Sequence, residues 1–123
     1  MLLEVMLMSF KEDIRHVIKS PSNAFSKVRN IRGIVREHTL FKDIFINQPY
    51  YPLFRDLKPN TTVIDIGAFF GETAIYFAQH PNTKMVYAYE LVPSSSKKAK
   101  RNVEESPFAD KIRIINKAVG ESR

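Results

Sequence analysis

Two acids and two glycines set out the chemistry this chain could do. Asp65 lies in the β-branched run Val63-Ile64-Asp65-Ile66, Gly67 and Gly71 bracket Ala68-Phe69-Phe70, and Glu90 closes the apolar run Met85-Val86-Tyr87-Ala88-Tyr89. The glycines suit a tight turn whose backbone amides approach a ligand, and a helix start just beyond adds unpaired N–H groups and a positive dipole end. Such a turn is expected to hold something polar or anionic. The acids narrow the choice. The dinucleotide fingerprint G-x-G-x-x-G is absent, because Phe69 stands at its second glycine and Asp65 stands where an apolar residue is usual. Glu90 follows the turn by about 20 residues, the spacing at which an acid reaches ribose hydroxyls in such folds. A positively charged adenosyl ligand fits this acid-rich turn better than a pyrophosphate. The plainer alternative is a tight strand-to-helix turn in which Asp65 caps the helix, which leaves Glu90 without a task.

These residues need strands and helices to hold them. Lys58-Pro59-Asn60 reads as a turn into a strand buried on both faces, and Ala74-Ile75-Tyr76-Phe77-Ala78 as a helix that ends at His80-Pro81-Asn82. A second strand covers 85–89. Pro93-Ser94-Ser95-Ser96 opens another helix, with Lys97, Lys98, Lys100 and Arg101 outward and Ala99 and Val103 inward. Ile112, Ile114 and Ile115 make a third strand that ends at Asn116. Strands alternating with helices predict an α/β fold with a parallel sheet.

The run from about Tyr50 to Arg123 resembles the class I S-adenosylmethionine-dependent methyltransferases, and among them the FkbM-type family. The resemblance rests on Val63 to Gly71 as a D-x-G-A-x-x-G motif and on Val86-Tyr87-Ala88-Tyr89-Glu90 as the second-strand acid. Lys100-Arg101-Asn102 and Ala118-Val119-Gly120 support it. It implies S-adenosylmethionine as cofactor. Gly67, Ala68, Phe69 and Gly71 would form the loop under its methionyl part, Asp65 would orient its amino end, and Glu90 would accept from its ribose. Phe69 replaces a frequent Asn of the family, and Leu91 replaces a frequent Pro beside the ribose acid. Lys117 and Ala118 stand where an acid often contacts adenine. The implied reaction is methyl transfer to an oxygen of a sugar or secondary metabolite, with a small molecule or glycan as acceptor. No residue of the chain is assigned as the catalytic base.

Upstream of the strands the chain reads differently. Ser9-Phe10-Lys11-Glu12 has the form of a capping box, so a first helix is expected from Ser9 to about Lys19. A second is expected from about Pro21 to His38, with Phe25, Val28, Ile31 and Val35 as its buried face and Lys27, Arg29, Arg32 and Arg36 mostly elsewhere. No acid occurs between Asp13 and Glu37. That basic stretch reads as a solvated face, or as a docking surface for phosphate or lipid headgroups. The aromatics Phe41, Phe45, Tyr50, Tyr51 and Phe54 are expected to pack a preceding helix onto the sheet, with Tyr50 and Tyr51 as candidates for a lid contact.

Composition sets the outer limits. With 123 residues, a net charge of +6 and no cysteine, one modest core is expected, without disulfides or thiolate chemistry, in a reducing compartment such as the cytoplasm. His16, His38 and His80 share no metal-ligand spacing, and His80 is expected to cap a helix C-terminus. The apolar first residues are interrupted by Glu4 and predict no membrane span. The nucleic-acid signal is weak. Residues 1–58 are expected to form a helical leader with an aromatic-rich connector. Residues 59–123 would form the N-terminal half of a Rossmann-like domain, the first three strands of a seven-stranded methyltransferase fold. The expected chain is a truncated or fragmentary enzyme whose first-strand edge is exposed, or is covered by self-association or a missing C-terminal half. The alternatives are a non-catalytic basic module that binds nucleic acid or an anionic surface, and a nicotinamide-dependent oxidoreductase fragment.

Overall fold

The computed structural model describes residues 2–121; the side chains of residues 2–7 and of Ser9 fall outside the description. The chain divides into two compact units, Met1–Asn47 and Gln48–Arg123.

The first unit is helical. Helix α1 spans Leu2–Lys19 and helix α2 spans Ala24–Lys42, continued by one π-helical stretch, Asp43–Asn47. The expected capping box at Ser9 is corrected, because Ser9 lies inside α1; its hydroxyl is outside the described residues. The apolar run before it continues the helix. Asn23, not Pro21, starts α2: its side-chain oxygen accepts from the Ser26 amide at 2.9 Å, satisfying one of the orphan donors of a helix start. Gly33 interrupts nothing. Phe10 stacks on His38 with ring centroids 4.2 Å apart, and Lys27 Nζ donates to the Ile18 carbonyl at 2.8 Å, which ties α1 to α2.

The face of α2 is also corrected. Phe25, Val28 and Val35 are exposed, whereas Ile31, Ile34 and His38 are half-buried and Phe41 is buried. Ile31, Ile34, His38 and Phe41 recur at spacings of three and four, so they form the inward stripe in place of the one expected from Phe25.

The second unit is α/β. After the short helix α3, Tyr51–Arg55, come β1 (Thr61–Ile66), α4 (Glu72–Ala78), β2 (Thr83–Tyr89), α5 (Pro93–Glu105), a 3-10 turn (Ala109–Lys111) and β3 (Ile112–Ile115). The sheet is parallel with order β1-β2-β3, and Asp65 sits opposite Ala88. β1 is an edge among the described strands.

β1 is not buried on both faces. Its burial alternates, with Ile64 56% and Ile66 65% exposed while Val63 and Asp65 turn inward. The register places Val86, Ala88 and Ile112 on the Val63 side, and all three are buried with Ala74, Ile75, Ala78, Ala99 and Val103 of the helices. Among the described residues the other face is the less covered one, with Ile64 and Ile66 exposed and Tyr87 and Tyr89 half-buried.

Of the aromatic segment, Tyr50 and Phe54 pack against α4 and not directly on the sheet, while Phe41 stacks with Phe45 inside the first unit. The Phe54 ring lies 4.7 Å from both Tyr76 and His80, Tyr50 lies 6.0 Å from Phe77, and the Tyr76 hydroxyl donates to Gln48 Oε1 at 3.2 Å. That leaves Tyr50 on the far part of α4, without a described contact to the glycine turn. His80 accepts from the Asn82 amide at 3.0 Å, closing the turn after α4. No helix of the described residues is long and apolar enough to cross a membrane.

Candidate functional site

The glycine turn leaves β1 through two left-handed glycines, Gly67 at φ 81° and Gly71 at φ 84°. Only glycine adopts such angles without a Cβ penalty. A Cβ at Gly71 would meet Ala99 atoms no closer than 3.5 Å, so backbone conformation, not crowding, requires the glycine there. Phe69 is left-handed too, at φ 52°, in the place where the resembled family often has an Asn, a residue that tolerates this region.

Every amide of the turn is already engaged. Gly67 and Ala68 donate to the Tyr89 carbonyl at 2.9 and 3.0 Å, and Gly71 donates to the Ala68 carbonyl at 2.8 Å. The Phe69 amide donates to Glu90 Oε1 at 3.0 Å, and the Phe70 amide to Glu72 Oε2 at 3.1 Å. This corrects the expectation of an anion cradle. A phosphate would have to displace two carboxylates from the amides it needs, and it would meet their charge.

Glu90 is buried and fixed from several sides. Its second oxygen accepts from the Val92 amide at 3.1 Å, its own amide donates to the Ile115 carbonyl at 3.0 Å, and its carbonyl accepts from Asn116 Nδ2 at 2.8 Å. A carboxylate has about four lone-pair sites. Two are used by backbone amides, so capacity remains for hydroxyl donors of a ligand.

Asp65 is in the opposite condition. Its Oδ2 is buried without a hydrogen-bond partner. Burial first, then repulsion from Glu90, pushes its carboxyl above the ordinary carboxylate range. A cation placed here would offset both effects, and a neutral donor would satisfy the unpartnered oxygen. The turn thus presents acceptors to a ligand and no free donor of its own between Gly67 and Gly71.

The remaining expected site residues divide. Ala68 is buried and contributes through backbone, Phe69 is exposed with its ring edge-on to Phe70 at 5.4 Å, and Leu91 is exposed with its carbonyl accepting from Asn116 Nδ2 at 2.9 Å. Lys117 and Ala118 are exposed beyond β3. Sequence reasoning missed Glu72 as a holder of the turn, although an acid directly after a turn glycine and in a helix first turn was a readable sign. Asn102, expected only as part of a motif, also reaches the turn. Its side-chain amide donates to the Phe70 carbonyl at 2.9 Å, so α5 clasps the turn from the other side. Among the described residues no group of acids and histidines could hold a metal ion.

No family model matches the chain. Over 66 residues it is 35% identical to a tRNA1(Val) (adenine(37)-N6)-methyltransferase of Dyadobacter fermentans, a stretch that covers 54% of this chain and 28% of that protein. The chain therefore spans well under two thirds of the curated relative it matches. A crystal structure from Listeria monocytogenes, described as a candidate S-adenosylmethionine-dependent methyltransferase, has 30% sequence identity and a TM-score of 0.40. That match covers 55% of this chain and 31% of that one. What the comparisons give is sequence similarity to methyltransferases over about half of this chain.

Proposed function

We propose that residues 59–123 carry the S-adenosylmethionine-binding turn of a methyltransferase. The observation that carries the reading is the contrast within the turn: all amides from Gly67 to Gly71 are engaged by the protein, while a buried oxygen of Asp65 has no partner. That favours a ligand with positive charge and donor groups over a diphosphate. Similarity over 66 residues to the Dyadobacter methyltransferase supports the same choice. When bound, the cofactor supplies an electrophilic methyl group on a sulfonium.

The protein's part is to bind and orient. Asp65 takes the amino end of the methionyl group, and Gly67, Ala68, Phe69 and Gly71 form the floor beneath it. Glu90 accepts from the ribose hydroxyls with its remaining lone pairs, and Leu91 flanks it at the exposed rim. Glu72 and Asn102 hold the Phe70 peptide by its two ends and so set the floor's shape. The acceptor we favour is an oxygen of a sugar or secondary metabolite, on the FkbM-type resemblance. An adenine nitrogen of tRNA is the second reading, favoured by what the Dyadobacter protein is named for.

The test is a calorimetric titration of the chain with S-adenosylmethionine, S-adenosylhomocysteine and NAD, repeated with Asp65→Asn. Asp65 is the better probe than Glu90, because changing Glu90 also frees the Phe69 and Val92 amides and reshapes the turn. Binding of the two adenosyl ligands but not NAD is expected, with affinity for the first falling roughly tenfold or more in the variant. Binding of NAD alone, or none to a chain folded by circular dichroism, overturns the reading.

A further inference from the structure

We infer that the exposed arc of helix α2 docks on an anionic lipid surface. The inference concerns the unit Met1–Asn47 alone and does not rest on the methyltransferase reading. Its starting point is the corrected face of α2. Phe25, Val28 and Val35, exposed by 78%, 52% and 44%, share the outward arc with Arg29, Arg32, Arg36 and Lys42, all exposed. Positions 25, 28, 29, 32, 35, 36, 39 and 42 recur at helical spacing, so the guanidinium groups and the apolar side chains point the same way.

Two properties of this arc select the partner. The first is charge: among the described residues of the unit the exposed acids are Glu12 and Asp43, and the Asp43 carboxylate already accepts from Asn47 Nδ2 at 2.7 Å. Neither lies within the arginine stretch. The second is the apolar content. Phosphates of a nucleic acid would satisfy the arginines but would leave Phe25, Val28 and Val35 in water. The boundary between headgroups and acyl chains takes both, with arginine at the phosphates and the aromatic and aliphatic side chains sunk below them.

The helix is built to lie flat. Nineteen residues make a rod about 28 Å long, capped at Asn23 so that Phe25 sits in its first turn. The inward stripe of Ile31, Ile34, His38 and Phe41 is the more buried side of the helix, whereas Phe25, Val28, Arg29, Arg32 and Val35 on the outward arc are exposed. The surface so formed is peripheral, since no described helix is apolar enough to span a bilayer.

The experiment is co-sedimentation of the whole chain with vesicles of phosphatidylcholine alone and of phosphatidylcholine with phosphatidylglycerol, with a mobility-shift assay on a structured RNA alongside. The variants are Arg29→Gln with Arg32→Gln, and separately Phe25→Ser, each checked for helix content by circular dichroism. All three side chains are exposed, so the variants are expected to fold. The expected result is binding to the anionic vesicles only, weakened roughly tenfold or more by loss of the two arginines and weakened also by Phe25→Ser. Absence of vesicle binding by the folded chain overturns the inference. So does vesicle binding that Phe25→Ser leaves unchanged, or RNA binding that the arginine variant alone removes while vesicles are ignored.

Discussion

Asp65 shows how much a single residue's surroundings add to its identity. An acid at the end of a first parallel strand was already a reason to think of a cationic ligand, but only the fold buries one of its oxygens without a partner and sets it against Glu90. The consequence for stability has a definite sign. A carboxyl whose folded pKa lies above its unfolded value binds more protons in the native state, so stability falls as pH rises from the ordinary value of 3.8 through the raised one. Asp65→Asn removes the charge and is expected to raise the melting temperature at pH 7, with the gain shrinking as the pH approaches 4. Thermal melts of both chains across that range check it. A variant that binds cofactor less well yet melts higher is the signature of a site held under electrostatic strain. Of the candidate site, the glycine turn and the two acids beside it, Asp65 and Glu90, were legible because turn geometry and strand ends leave marks in residue type. Engagement of the Phe69 and Phe70 amides by Glu90 and Glu72 was not, because a hydrogen bond across 21 positions depends on where two strands are placed.

At the scale of elements, the sheet and its helices were readable from short β-branched runs between turn signals, and β1, α4, β2, α5 and β3 follow that order. Helix α2 exists where a helix is expected, but it starts after Asn23, runs on to Lys42 beyond the expected His38, and turns a different face inward. Two candidate stripes compete on it, one from Phe25 and one from Ile31, and composition does not choose between them. The partner helix chose, by stacking Phe10 on His38. That contact has its own pH dependence. Burial first, then the charge of Lys42, lowers the pKa of His38 below 6.5, so the folded state binds fewer protons than the unfolded one in that window. Stability of the helical unit is therefore expected to fall as pH drops below 6.5, and His38→Phe, which keeps a ring against Phe10, is expected to abolish that loss. Far-UV melts at pH 7.5 and 5.5 on both chains measure it.

Across the described residues, the sheet has one well-covered face and one less covered, and β1 is an edge strand paired only with β2. Ile64 and Ile66 lie exposed on the less covered face of that edge strand, a combination that invites pairing with another chain. Self-association at high concentration is expected in light scattering, and Ile66→Lys is expected to suppress it while changing stability by less than about 0.5 kcal/mol, since the side chain is mostly exposed. The sequence by itself determined the α/β class, the glycine turn with its acids and the basic character of the N-terminal unit, because propensity, turn chemistry and charge are properties of residue types and short spacings. Tertiary structure alone decided which face of β1 and of α2 is covered, which amides of the turn are taken, and that Asp65 keeps an unpartnered oxygen. Those outcomes depend on residues far apart in the chain meeting in one place, and a linear pattern carries no record of which surfaces meet.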